Sequence, residues 1–189
     1  MIGLKIYILP IDVKNQEVLD GIVNGLSEIF SGSPCLILAG DFSIPIEAYN
    51  SSRRQYLSTI ILNRMKNYAR RYIEKDVLSR ILGVVDIDLY APGLNFIFGE
   101  AELFGEAAII SLYRLKPEFY GEPPDLILFI ERAVKEAVHE IGHTLGLRHC
   151  PDPSCVMHFS LHIGMTDQKG RDFCQTCRRK IERYINPFL

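Results

Sequence analysis

The stretch from His139 to His149 holds three histidines and a glutamate, and it reads His-Glu-Ile-Gly-His-Thr-Leu-Gly-Leu-Arg-His. His139 and His143 are four residues apart, so on a helix both imidazoles project from one face. Two imidazoles in that position can share one zinc ion at about 2.0–2.1 Å. Glu140 follows His139 and can take a proton from a water bound to that ion. We predict that the two histidines are zinc ligands and that Glu140 is a general base.

A third ligand is expected from the end of the same helix. Gly146 can adopt a positive φ without penalty, which lets the chain leave the helix sharply and bring His149 back to the metal. Three neutral imidazoles would leave zinc its full charge, lower the pKa of bound water toward ~7 and polarise a carbonyl group. The segment therefore predicts a zinc-dependent peptidase.

Four of the five cysteines lie close together in the sequence, at Cys150, Cys155, Cys174 and Cys177. Two close pairs joined by a loop have the spacing of a tetrahedral four-cysteine zinc site, which leaves no position open and is structural. Unligated cysteines or an iron–sulfur cluster are the alternatives. Because Cys150 directly follows His149, we infer that loss of this site would also impair the histidine site. Cys35 is expected to be a small buried hydrophobic residue.

The composition is that of an ordinary globular protein, with 48% apolar residues, 23% charged residues and a formal net charge of -2 over 189 residues. The charge gives no reason to expect nucleic acid or an anionic membrane as the main partner. No apolar run reaches the ~18 residues of a membrane span, and the N-terminus has a strand pattern without a small-residue cleavage site. We therefore expect a cytoplasmic, monomeric protein that does not associate with membranes.

The hydrophobic pattern predicts an α/β fold. Apolar residues at helical spacing favour helices over 16–30, 53–76 and 126–146, the last one capped by Asp125, and a short helix that includes Ile181 and Tyr184. Strand patterns occupy residues 3–10, 35–39, 81–87, 94–98 and 107–113, and the fully apolar run at 35–39 suggests a strand covered on both faces. This order predicts a mostly parallel sheet with helices packed on it, in which the later strands can add an antiparallel edge.

The motif from His139 to His149, followed by Cys150, Cys155, Met157, Cys174 and Cys177, resembles the archaemetzincins, a family of metzincin-type zinc peptidases. Weaker similarity extends to residues 50–56 and 95–101. The resemblance implies a metzincin-like fold with an upper α/β subdomain, over residues 1–146, that includes the active-site helix. It also implies a small zinc-stabilised lower subdomain over residues 147–189, and two zinc ions per chain, one catalytic and one structural.

Metzincins carry a methionine turn beneath the zinc, and Met157 is a better candidate for it than Met165. Some metzincins have a tyrosine two residues after this methionine, whereas this chain has Phe159, so another group must stabilise the tetrahedral intermediate. Residues 96–106 could form the strand at the cleft edge that pairs with an extended substrate, or an ordinary edge strand.

The leading hypothesis is a metallopeptidase that acts on peptides or small proteins. The alternative is a non-catalytic, zinc-stabilised binding module that retains the motif. A third possibility, a nucleic-acid protein built on the cysteine pairs, would show strongly salt-dependent binding, which the near-neutral charge does not favour.

Overall fold

The protein is built around a five-stranded sheet with the strand order β2-β1-β5-β8-β7. The computed structural model describes residues 3–30, 32–74 and 78–185. The first four strands in this order are parallel, and β7 pairs antiparallel with β8 at one edge. This confirms the predicted mixed, mostly parallel sheet. The strands of this sheet are β1 (Leu4–Ile11), β2 (Cys35–Ile37), β5 (Leu78–Val85), β7 (Gly99–Ala101) and β8 (Ala107–Ser111).

Helices cover both faces of the sheet, which explains why β1 and β5 are apolar along most of their length. On one face, α1 and α3 form a single core with the sheet, and Gly25 lets them approach so closely that a Cβ there would lie 2.5 Å from Val134. On the other face, α2 packs through residues such as Ile61 and Met65. The helices are α1 (Gln16–Ile29), α2 (Ser58–Ala69), α3 (Leu126–Thr144), α4 (Ile163–Gln168) and α5 (Gln175–Ile185).

The second helix is shorter than predicted. It runs from Ser58 to Ala69 instead of from residue 53 to 76, and of the predicted range only residues 75 and 76 lie outside the described residues. Its predicted first turn is instead a strand of a small second sheet, because the buried Gln55 side chain bonds to Asp88 and to the Asn95 carbonyl. The small sheet has the order β3-β4-β6, with β3 (Tyr49–Asn50), β4 (Gln55–Leu57) and β6 (Leu89–Tyr90).

Two strand predictions were wrong in their details. The run at 35–39 forms only the three-residue β2, an edge strand in which Leu36 is 43% exposed, because it lies beyond β1 at the end of the sheet. Cys35 is accordingly half-buried, and burial raises the pKa of its thiol to about 11. Residues 94–98 form a loop with one isolated bridge between Ile97 and Leu89, and the strand begins only at Gly99.

The segment after α3 is attached to that helix by buried charges. Arg132 of α3 donates two hydrogen bonds of 2.7 Å to the Asp167 carboxylate in α4. One helical turn further on, the Glu136 carboxylate lies 3.0 Å from the ammonium of the fully buried Lys169. These contacts place the C-terminal segment against the part of α3 that carries the histidines. Among the described residues, no helix is long and apolar enough to cross a membrane.

Candidate active site and second metal centre

The helix α3 begins at the predicted residue, Leu126, and ends two residues before the predicted end at Gly146. Asp125 caps the N-terminus, and its carboxylate accepts a hydrogen bond of 2.9 Å from the Leu128 amide. The helix ends at Thr144, and Gly146 then adopts a φ of +86°. This left-handed residue redirects the chain, so that His149 returns toward the two helical histidines.

The three imidazoles converge as predicted. One ring nitrogen from each of His139, His143 and His149 lies within 4.8 Å of the other two. The Nε2 atoms of His139 and His143 are 3.1 Å apart, close to the roughly 3.3 Å between two nitrogens of a tetrahedral zinc ion with bonds of 2.0–2.1 Å. This donor set fits the zinc ion that the sequence predicts.

Hydrogen bonds orient the two helical imidazoles. His139 Nδ1 lies 2.8 Å from the Val156 carbonyl oxygen, and His143 Nδ1 lies 2.7 Å from the Leu147 carbonyl oxygen. Because a carbonyl only accepts, both Nδ1 atoms carry the proton and both Nε2 atoms keep a free lone pair for a metal. Burial lowers the pKa of all three histidines, which favours the neutral form that binds metal.

Glu140 is buried beside the histidines, under β7. Burial raises its pKa well above the usual range, and the Glu136 carboxylate adds to this effect, whereas the Lys169 ammonium opposes it. A carboxylate that holds a proton more tightly is a stronger base once it is ionised. β7 reaches this close to Glu140 only because residue 99 is glycine, since a Cβ there would lie 2.6 Å from the Glu140 Oε1 atom.

These groups line an open cleft with a volume of about 470 Å³. Leu94 and residues 96–101, which include β7, form one wall, and Phe159, Ser160 and Leu161 form the other. The Phe159 ring centre lies 4.6 Å from that of His149, so this residue contacts the histidine site although it has no hydroxyl group. Residues 96–106 thus include the edge strand beside the cleft, and pairing with a substrate strand stays a prediction.

The four clustered cysteines also converge. Their Sγ atoms lie within 4.8 Å of one another, and the Cys150 and Cys174 sulfurs are 3.8 Å apart. Two sulfurs of a tetrahedral zinc ion with bonds of about 2.3 Å are separated by roughly 3.8 Å. All four are free thiols, as is Cys35. Four sulfur donors at this separation fit a closed structural zinc site.

The histidine and cysteine clusters are connected through residues 149–157. His149 and Cys150 are neighbours, and the Cys150 amide donates a hydrogen bond of 2.9 Å to the Met157 carbonyl. Met157 is fully buried beneath α3, where a Cβ at Gly142 would lie 2.5 Å from its sulfur. The position beneath the histidine helix is the one expected for the methionine turn, so Met157 remains the better candidate for it.

Several residues around the site were not predicted. Lys169 is fully buried and lines the cleft, and its ammonium contacts Glu136 without the alignment of a hydrogen bond. Glu136 could have been found from the sequence, because it lies three residues before His139 on the same helix face. Nothing in the local sequence pattern indicates Lys169 or Gly99, whose partners are distant in the chain.

The arrangement of imidazoles and carboxylate in an open cleft is that of a zinc metallopeptidase, and comparisons with known proteins make the assignment specific. The sequence profile of peptidase family M54 matches residues 10–183, so the chain belongs to this family. The archaemetzincin of Pyrococcus abyssi is 46% identical over 189 residues, covering 98% of this chain and 97% of that protein.

Solved structures of similar proteins agree with this family assignment. The crystal structure of the Archaeoglobus fulgidus archaemetzincin, complexed with malonate, is 42% identical with a TM-score of 0.76, covering 93% of this chain and 99% of that chain. The zinc-dependent peptidase from Methanocorpusculum labreanum is 30% identical with a TM-score of 0.84, also covering 93% and 99%. The resemblance found in the sequence is confirmed, and the chain is a zinc metallopeptidase.

Proposed function

We propose that this chain hydrolyses peptide bonds in peptides or small proteins, with Glu140 as the general base and with His139, His143 and His149 as the ligands of the catalytic zinc. The observation that carries the proposal is the convergence of three imidazoles beside a buried carboxylate in an open cleft. When bound, zinc would polarise the substrate carbonyl and acidify a water molecule.

The chain's own residues supply the remaining functions. Val156 and Leu147 hold two imidazoles in the tautomer that leaves Nε2 free. Glu140 accepts the proton of the attacking water and can pass it to the leaving amine. The close packing of Gly99 in β7 against its carboxylate limits the room for further water there.

We further propose a second, structural zinc ion held by Cys150, Cys155, Cys174 and Cys177, which gives two ions per chain. Four thiolates fill a tetrahedral coordination sphere and leave no position for substrate. The free energy of binding this ion would contribute directly to the folding of residues 150–177.

The variant Glu140→Ala tests the general base. We expect it to retain the zinc content of the parent protein and to lose at least about 100-fold in turnover, the low end of what a general base contributes. Peptide-library cleavage followed by mass spectrometry measures turnover, with a chelator control, and the exposed Glu182→Ala is the matched variant.

Undiminished cleavage by Glu140→Ala would refute the assigned role. A parent protein that holds one tightly bound zinc ion and cleaves no peptide in the library would favour the alternative of a non-catalytic binding module.

A further inference from the structure

The segment of residues 91–98, which leads into β7 and supplies part of the cleft wall from Leu94 onward, has little regular structure of its own. Its main-chain hydrogen bonds are few: the Leu94 amide donates to the Ala91 carbonyl, the Ile97 amide donates to the Leu89 carbonyl, and the Phe98 carbonyl accepts from the Ser111 amide. Yet Leu94 and Phe96 of this segment line the cleft beside the catalytic groups. A wall that faces substrate needs other support to keep one shape.

Arg53 provides part of this support from the loop before β4. Its Nη2 atom donates hydrogen bonds to the carbonyl oxygens of Leu94 and Asn95, at 3.1 and 2.8 Å. Its Nε atom donates to the Gln55 side chain at 2.9 Å, and its guanidinium carbon lies 4.4 Å from the centre of the Tyr90 ring. A planar guanidinium can make these contacts together, whereas a lysine ammonium cannot.

Gln55 holds the same loop from beneath. Its buried amide nitrogen donates to the Asn95 carbonyl at 2.9 Å and to the Asp88 carboxylate at 3.0 Å. Asp88 in turn accepts two hydrogen bonds from Arg114, at 2.6 and 2.7 Å, and the Arg114 guanidinium lies 4.3 Å from the Phe96 ring centre. The segment is therefore held by hydrogen bonds to two successive carbonyl groups, those of Leu94 and Asn95, and by a contact with the Phe96 ring.

Besides charged side chains such as Arg148 and Lys169, the cleft is lined by four large apolar side chains that are exposed. Leu94 and Leu103 on one wall are 39% and 43% exposed, and Phe159 and Leu161 on the other are 39% and 59% exposed. Large apolar side chains that surround a catalytic cleft are covered when an apolar ligand binds there.

We propose that Arg53 and Gln55 are positioning residues of the substrate cleft, which fix the wall of Leu94 and Phe96 so that it selects a large apolar side chain next to the cleaved bond. This inference rests on the proposed peptidase function.

The test compares Arg53→Lys with Arg54→Lys, a neighbouring exposed arginine. The substrates are a peptide cleaved by the parent protein and two versions in which the large apolar residue beside the cleaved bond is replaced by Ala or Asp. For Arg53→Lys we expect KM for the apolar peptide to rise roughly 5- to 10-fold, a loss equivalent to about one hydrogen bond. We expect kcat to stay within about twofold, and the preference over the Ala peptide to fall. Arg54→Lys should match the parent.

Binding without turnover provides an independent measurement. In the Glu140→Ala background, Arg53→Lys should weaken the Kd of the apolar peptide by the same factor and accelerate amide hydrogen exchange over residues 91–98. An unchanged KM and Kd, or an equal loss for all three peptides, would overturn the inference while leaving the peptidase function intact. If the parent cleaves no peptide, the proposed function fails, and an equal Kd with and without the Arg53 substitution would overturn this inference separately.

Discussion

At the scale of single residues, Glu140 can occupy its position only because Gly99, the residue packed against it in β7, has no side chain. Gly99 in β7 lies so close to Glu140 that an added Cβ would be 2.6 Å from both Cγ and Oε1, well inside normal contact distance. Glu140 is buried and cannot move freely away. Any larger residue at position 99 must therefore displace either the strand or the carboxylate.

We expect Gly99→Ala to lower kcat by roughly 100-fold, because a displacement of about 1 Å in a catalytic group can cost that much. The zinc content should stay at the parent value, because the three atoms nearest to a Cβ at position 99 belong to Glu140 and not to a histidine. Metal analysis and steady-state kinetics measure the two quantities. Gly3→Ala is the matched control, since a Cβ there would have no atom within 4 Å. Parent-like kcat in Gly99→Ala would show that Glu140 tolerates displacement.

The sequence predicted the spatial convergence of those candidate residues whose positions depend on local spacing. His139, Glu140 and His143 follow from helical periodicity, and the return of His149 follows from the conformational freedom of Gly146. Gly99 and Lys169 could not be predicted, because their importance arises from contacts across the fold. A glycine in a strand, or a lysine after a short helix, carries no local sign of what it will face.

At the scale of elements, the end of α3 determines where the third histidine lies. Gly146 has a φ of +86°, and a Cβ there would lie 2.0 Å from Cε1 of the Phe104 ring. A substitution therefore meets two obstacles, backbone strain and a steric clash. Both would be relieved by moving the chain that leads to His149.

We expect Gly146→Ala to lower the free energy of unfolding by at least about 2 kcal/mol and to weaken zinc binding at the histidine site. Gly121→Ala separates the two effects, because Gly121 also has a positive φ, of 77°, but has open space around it. That control should cost only about 1 kcal/mol and leave zinc binding unchanged. Denaturant unfolding and metal titration provide the measurements, and equal losses in both variants would argue against the clash.

We expect the cysteine segment, residues 150–177, to support the histidine site. It supplies the Val156 carbonyl to His139, places Met157 under α3 and holds Cys150 next to His149. Cys174→Ser removes one of the four sulfur donors, and a serine oxygen is a poor replacement for thiolate on zinc.

For Cys174→Ser we expect zinc loss from both sites, from two ions per chain to fewer than one, with a lower Tm. Cys35→Ser is the control, because Cys35 lies in β2 and belongs to neither cluster. The measurements are zinc analysis by mass spectrometry and thermal unfolding. Retention of one full equivalent in the histidine site would show that the two centres are independent.

Element boundaries were predicted well where one physical cause dominates. The Asp125 cap and the Gly146 turn bound α3 close to the expected limits. The prediction failed where contacts between residues distant in sequence determine the local structure. In β4, the hydrogen bonds of Gln55 hold residues 55–57 in a strand ahead of α2. The exposure of β2 also depends on its place at the sheet edge, which an apolar run does not reveal.

At the scale of the whole molecule, the chain is expected to be a monomer that carries two zinc ions. Native mass spectrometry should show the 21.5 kDa chain with the added mass of two ions. A chelator should remove the ion of the open histidine site before the ion held by four thiolates, because exchange needs a free coordination position. A dimer, or a single ion per chain, would contradict this expectation.

The sequence predicted the overall architecture because it follows from the order of elements: alternating strands and helices favour a parallel sheet covered on both faces. The division into subdomains at residues 146 and 147 stays a prediction. The predicted lower subdomain, residues 147–189, extends beyond the last described residue, 185. Two ion pairs, Arg132–Asp167 and Glu136–Lys169, connect its described part to α3.

The adjacency of His149 and Cys150 has a consequence for protein engineering. A single peptide bond joins the two proposed sets of metal ligands, so we expect that a graft of the histidine site onto another scaffold would need more than the eleven-residue motif. We expect the transplanted unit to run from the helix through Cys177, because a zinc ion on the four cysteines, as proposed, would fasten the chain that carries His149.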